Sequence, residues 1–155
     1  MVLPASDGGR VDLTRTEHSL AVVFVYPLTG RPGDPLPTDW DLIPGARGCT
    51  PEACGFRELY QDFWQEGVDV FGLSTQSNIY QIEAADRLKL PFQLLSDEIG
   101  TFGGPLDLPT FRVDNMTLYK RLTLVIANGS IEHVFYPVFP PDQHAEEVLH
   151  WLRRH

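Results

Sequence analysis

Cys49 and Cys54 are the only cysteines in 155 residues, and both lie in one stretch, GARGCTPEACGF, residues 45–56. A cysteine pair serves one of three chemistries: a structural staple, metal ligation, or redox work by a nucleophilic thiolate. Metal ligation fits least. The spacing is C-x4-C rather than C-x2-C, no second pair exists, and His18, His133, His144, His150 and His155 are spread or terminal. No metal and no bound cofactor is expected. A C-x-x-C motif is also missing, which argues against a general disulfide oxidoreductase.

The residues after Cys49 predict a helix over 49–66. Phe56, Leu59, Tyr60 and Phe63 recur at helical spacing and make one apolar stripe. At about 100° per residue, Cys49 falls within roughly 20° of that stripe and Cys54 about 160° away. Cys49 is therefore expected in the first turn on the inward side, and Cys54 on the other face. First-turn N–H groups lack partners and the helix dipole is positive there, so a thiolate is stabilised. Gly48 allows close backbone approach, and Pro51 suits an early helical position. These residues suit a reactive cysteine, and an inert buried thiol is the other reading of them.

The surrounding elements read as α/β. LAVVFVY (20–26) is a continuous β-branched run, the mark of a strand buried on both faces, and VDVFGLS (68–74) is a second. Between them, residues 27–48 hold five prolines and several glycines, too long for a plain connection and therefore a candidate functional loop. VDL (11–13) and FQLLSD read as short strands. Ser77 is placed to cap a helix whose apolar positions are Ile79, Ile82, Ala85 and Leu88. TFRV and MTLYKRLTLVIA flank an Asp-Asn turn, and Asn128-Gly129 leads into SIEHVFYP, a hairpin. A final helix carries Ala145, Val148, Leu149 and Leu152 on one face. The layout predicts one domain over 1–155, with a mixed central sheet, helices on both faces and a Pro/Gly-rich loop at about 28–47.

Composition narrows the function. The 43% apolar fraction fits a packed core, and a formal charge of −9 repels nucleic acid. The start lacks a basic segment before a long apolar run, and no run reaches membrane-spanning length. A cytoplasmic protein that binds neither nucleic acid nor membrane is expected, with its thiols kept reduced.

The segment YP, a loop, then GCTPEACGFRELY after a buried strand resembles the peroxiredoxins of the bacterioferritin-comigratory-protein or PrxQ subgroup. GGRVDL, AVVFVYP, VDVFGLS, FQLLSD and KRLTLVIANGSIEHVFYP extend the similarity over most of the chain. The resemblance implies a thioredoxin-like fold. It implies a thiol peroxidase acting on hydrogen peroxide and organic hydroperoxides, in which Cys49 is peroxidatic, Cys54 is resolving, and a disulfide closes within the chain. Thioredoxin or a similar dithiol would reopen that bond. A non-catalytic redox sensor signalling through the same disulfide is the alternative. With the resolving thiol on the same chain, a monomer is expected.

The resemblance also assigns Arg121 to the support of thiolate and peroxide. Combined with the helix N-terminus, that arginine predicts a Cys49 pKa of roughly 5 to 7 against about 8.5 for a free thiol. Truncating Arg121 is expected to cost rate and leave the fold largely intact. Glu52 matches an acidic position of the family, although an ordinary first-turn glutamate complementing the dipole explains it as well. The family places a hydroxyl three residues before the peroxidatic cysteine, where this chain has Ala46, and a proline seven before, where it has Leu42. Thr29 and Pro27, in YPLTG, are the nearest equivalents, for peroxide orientation and shielding from water. Arg47 reads as loop surface, and LPT at 108–110 as the entry to a hairpin rather than a site proline.

Overall fold

A computed structural model describes residues 2–155, and the chain opens in it with a short antiparallel pair, β1 (Val2–Pro4) and β2 (Arg10–Asp12). The run LAVVFV then forms β3 (Leu20–Val25), the middle strand of a five-stranded sheet. Beside it lie parallel β4 (Val68–Ser74) and, beyond that, parallel β5 (Gln93–Ser96). On the other side lie antiparallel β8 (Leu122–Ala127) and β9 (Ser130–Phe135). Because side chains alternate along a strand, Val22 and Phe24 enter one apolar cluster while Ala21, Val23 and Val25 enter another on the opposite face.

Two crossovers build the parallel half. β3 runs to β4 through α1 (Cys49–Glu58) and α2 (Tyr60–Gln65), and β4 runs to β5 through α3 (Asn78–Arg87). Both step outward in the same direction, and right-handed crossovers of that kind put their helices on one face. α4 (His144–Arg154) returns to that face, burying Ala145, Val148 and Leu149 in the cluster that holds Phe24, Phe56 and Phe63. The class and the mixed sheet are those expected, but the helices gather on one face. The other is covered by the β1–β2 pair and the turns near Phe102, through Leu3, Leu13 and Leu108.

α3 departs from its expected stripe. Ile79 is 74% exposed and Ile82 43%, while Gln81 and Ala84 face inward. Gln81 is burial-tolerant because it accepts from the Tyr26 hydroxyl at 2.7 Å and donates to the Leu95 carbonyl at 2.7 Å. Ser77 holds the N-cap position without a side-chain capping bond.

Two hairpins follow their turn chemistry. Asp114 and Asn115 (φ 48° and 65°) join β6 (Thr110–Val113) to β7 (Met116–Tyr119), and Asn128 and Gly129 (φ 51° and 81°) join β8 to β9. Pro109 closes the base of the first, its carbonyl accepting from the Lys120 N–H at 2.9 Å. The 28–47 loop lies on this hairpin. Trp40 and Ala46 are buried against Leu118, with Ile43 and Phe111 packed around them, and the Thr38 N–H donates to Asp114 Oδ2 at 2.9 Å. Among the described residues no helix is long and apolar enough to cross a membrane.

The loop thus has its own anchor, separate from the sheet core. Trp40→Ala should cost about 3–5 kcal/mol locally, the scale of removing a buried aromatic. Amide exchange at residues 43–48 should quicken while β3 and β8 keep their protection. Unchanged exchange at 43–48 would show that Trp40 does not hold the loop.

Candidate active site

The strand register brings the site together. Val25, at the end of β3, pairs with Leu122, at the start of antiparallel β8, so Arg121 arrives at the sheet end from which the chain leaves for α1. Helix α1 starts at Cys49 because Gly48 adopts φ 104°, and a Cβ at Gly48 would lie 2.6 Å from Pro141 Cγ. Only glycine meets both conditions. Cys49 is 5% exposed, Cys54 is half-buried on the other side of α1, and both are free thiols.

Arg121 is 3% exposed and spends its guanidinium on three kinds of partner. Its Nη2 donates to Cys49 Sγ at 3.1 Å. Its Nη1 donates to Glu52 Oε1 at 2.6 Å. Nη2 also reaches the carbonyls of Arg47 at 2.9 Å and Ala46 at 3.1 Å, and Nε reaches that of Gly45 at 3.3 Å. The planar fork lets one cation hold thiol, carboxylate and loop backbone together.

Glu52 is not a solvent-facing first-turn residue. It is 0% exposed, its Oε2 has no hydrogen-bond partner, and burial outweighs Arg121 to push its carboxyl up to about 7. The depressed Cys49 pKa expected from sequence is likewise corrected. Burial pushes the thiol up, against the pull of Arg121 and of the Leu28 N–H. The physical reason is first the burial of the sulfur, to which the nearby Glu52 charge adds a smaller push in the same direction.

Pro27 is buried just past the end of β3, next to Leu28. Thr29 is buried too, but its hydroxyl donates to Gln76 Oε1 at 3.1 Å, and no bond joins it to Cys49. Gln76 grips the Thr29 backbone from both sides, accepting from its N–H and donating to its carbonyl, each at 3.1 Å. Ala46, where the family carries a hydroxyl, contributes its carbonyl instead, accepting from Arg121 and, at 3.9 Å, facing the Cys49 thiol. The Arg47 side chain points outward to Asp41 at 3.2 Å while its carbonyl serves Arg121. Gln76 and the three carbonyls were not foreseen, and carbonyl orientation leaves no mark on residue type. Trp40 and Phe102 both pack in apolar clusters. Among the described residues no three metal-binding side chains cluster.

Comparison with known proteins gives a consistent set. The Redoxin family model matches residues 1–149. Peroxiredoxin Bcp of Escherichia coli K12 is 32% identical over 161 residues, covering 99% of this chain and 90% of that protein. A chloroplastic peroxiredoxin Q of Gentiana triflora is 31% identical over 156 residues, and that match takes in 97% of this chain but 62% of the relative's length. The crystal structure of peroxidoxin BcpB from Mycobacterium tuberculosis superposes with a TM-score of 0.78 at 27% identity, covering 99% of this chain and 92% of the other.

The buried pair makes Arg121 structural as well as chemical. Arg121→Ala strands Glu52 and three carbonyls without a donor, and should destabilise the fold by about 3–5 kcal/mol, the usual cost of halving a buried pair. This replaces the expectation of an intact fold. Urea unfolding of the two proteins measures it, and a loss under 1 kcal/mol would mean that the loop and Glu52 stand without Arg121.

Proposed function

The chain belongs to the Redoxin family and, within it, to the Bcp/Q peroxiredoxins, thiol peroxidases of the atypical two-cysteine kind, and we propose that Cys49 is its peroxidatic residue and Cys54 its resolving residue. One observation carries the assignment: a buried cysteine opens a helix with a guanidinium nitrogen 3.1 Å from its sulfur. A cation and helix N–H groups at that place stabilise the negative charge that passes through sulfur and peroxide oxygens.

In the first step the Cys49 thiolate attacks the distal oxygen of a hydroperoxide. An S–O bond forms, the O–O bond breaks, and water or an alcohol leaves, so Cys49 becomes a sulfenic acid while the peroxide is reduced. Arg121 and the Leu28 N–H face the reacting sulfur. Gln76, by fixing Thr29, holds that N–H in place. Pro27, buried just past β3, is assigned to shielding the sulfur from water. Thr29 acts through its backbone, since its hydroxyl is directed to Gln76.

In the second step Cys54 attacks the sulfenic sulfur: an S–S bond forms within the chain, the S–O bond breaks, and the hydroxyl leaves as water with the proton of the Cys54 thiol. An external dithiol then reduces it by exchange. We assign that role to thioredoxin or a similar dithiol, and a reducing compartment such as the cytoplasm suits it. A resolving thiol on the same chain needs no second subunit, which supports a monomer.

Consumption of NADPH in a thioredoxin-coupled assay with hydrogen peroxide tests the scheme. Cys49→Ser should abolish turnover. Cys54→Ser should still take up one oxygen at Cys49, read by mass, but stop after one cycle and drift toward the sulfinic state. Wild-type turnover by Cys54→Ser would remove its resolving role, and slow turnover by the unmodified chain would favour a sensor.

A further inference from the structure

One buried cation faces two buried acids at this site. Arg121 binds Glu52 Oε1 at 2.6 Å and Cys49 Sγ at 3.1 Å, and among the described residues no other cation pairs with either. Glu52 lies three residues after Cys49 in α1, so the two side chains share a helix face at neighbouring positions. Of the two carboxylate oxygens, Oε2 is buried and unpartnered, an open acceptor in a site otherwise filled with matched groups. Such orphaned oxygens are costly and call for an explanation.

We propose that Cys49 and Glu52 share a single negative charge over Arg121, Glu52 taking the thiol proton when the nucleophile forms. The inference rests on Cys49 being the peroxidatic residue. In the resting site the charge sits on Glu52 and Cys49 is a thiol. On activation the S–H bond breaks, an O–H bond forms at the Glu52 carboxyl, and the electron pair stays on sulfur. The cluster's total charge is unchanged, which avoids the cost of a second buried anion. After attack on the peroxide, the departing hydroxide or alkoxide needs one proton. The cluster returns it, and the charge goes back to Glu52. Atoms and electrons balance without a further reactant.

The other groups around the pair leave this assignment in place. Tyr26, at the end of β3, is held protonated by burial and by the two acids, with its hydroxyl donated to Gln81. His144, at the start of α4, is disfavoured as a cation by burial and by Arg121, and is engaged by Thr123 and Glu147. Burial pushes both Glu52 and Cys49 upward against the pull of Arg121, and the Glu52 charge adds a smaller push on Cys49.

Glu52→Gln tests the proposal because the two possible roles predict opposite signs. With charge sharing, the amide frees the Arg121 charge for sulfur. The thiolate midpoint, read by ultraviolet absorbance and by alkylation against pH, should fall by about one unit or more, and alkylation at pH 6 should rise about tenfold. If Glu52 only holds Arg121 in place, the midpoint should rise or stay, and that result overturns the proposal. Should the variant fold poorly, the wild-type protein supplies a second readout by infrared difference spectroscopy. At a pH where the thiolate is present, alkylating Cys49 should remove the carbonyl band of a buried protonated carboxyl. An unchanged spectrum would also overturn it. Failure of the underlying assignment looks different, since Cys49→Ser would then still turn over peroxide.

Discussion

A single guanidinium holds the site together. Arg121 ties the start of β8 to the first turn of α1 through Glu52, to the end of the 28–47 loop through three carbonyls, and to the Cys49 sulfur. These are hydrogen bonds in a water-poor place, where an unmade bond costs more than a made one contributes. The loop carbonyls face inward because the donor is there, and the donor is buried because the loop closes over it. Fold and chemistry therefore depend on the same contacts.

The same arrangement creates a geometric conflict. Cys49 and Cys54 lie in one continuous helix, where five residues imply about 7.5 Å of rise and about 140° of rotation. A disulfide needs Cα atoms within about 7 Å and converging Cβ vectors. The helical first turn and the disulfide exclude one another, so the protein must have two conformations between residues 49 and 54. α1 is well suited to release. Gly55 lowers helix stability by about 1 kcal/mol relative to alanine. Gly55 also lies against Ala145 and Asp142, as Gly48 lies against Pro141, so at these two positions the helix meets α4 and its lead-in without a side chain, while Phe56 anchors its later turns in the core. Once Cys49 is a sulfenic acid its sulfur no longer carries charge opposite Arg121, so the Arg121–sulfur tie on the first turn weakens while the Glu52 ion pair remains.

Much of this was legible in the sequence. Strand runs such as LAVVFV carry their own burial signal, and the spacing of Phe56 to Phe63 put Cys49 inward and Cys54 outward. What escaped was set by tertiary contacts. Ile79 and Ile82 match a helical stripe but face solvent, because Gln81 finds two buried partners across the fold. Glu52 looks like any first-turn acid until Arg121, 69 residues away, is placed beside it. The thiol's pKa escapes for the same reason: burial raises it most and the nearby Glu52 adds to that, and neither is written in the residues around Cys49.

Amide hydrogen exchange on the reduced and the disulfide forms tests the central claim most directly. The account predicts that protection over residues 50–58 falls sharply on oxidation while β3 and the 121–127 strand keep theirs. Equal protection over 50–58 in both forms would contradict it, because the two cysteines would then bond without release of the helix that Arg121 holds.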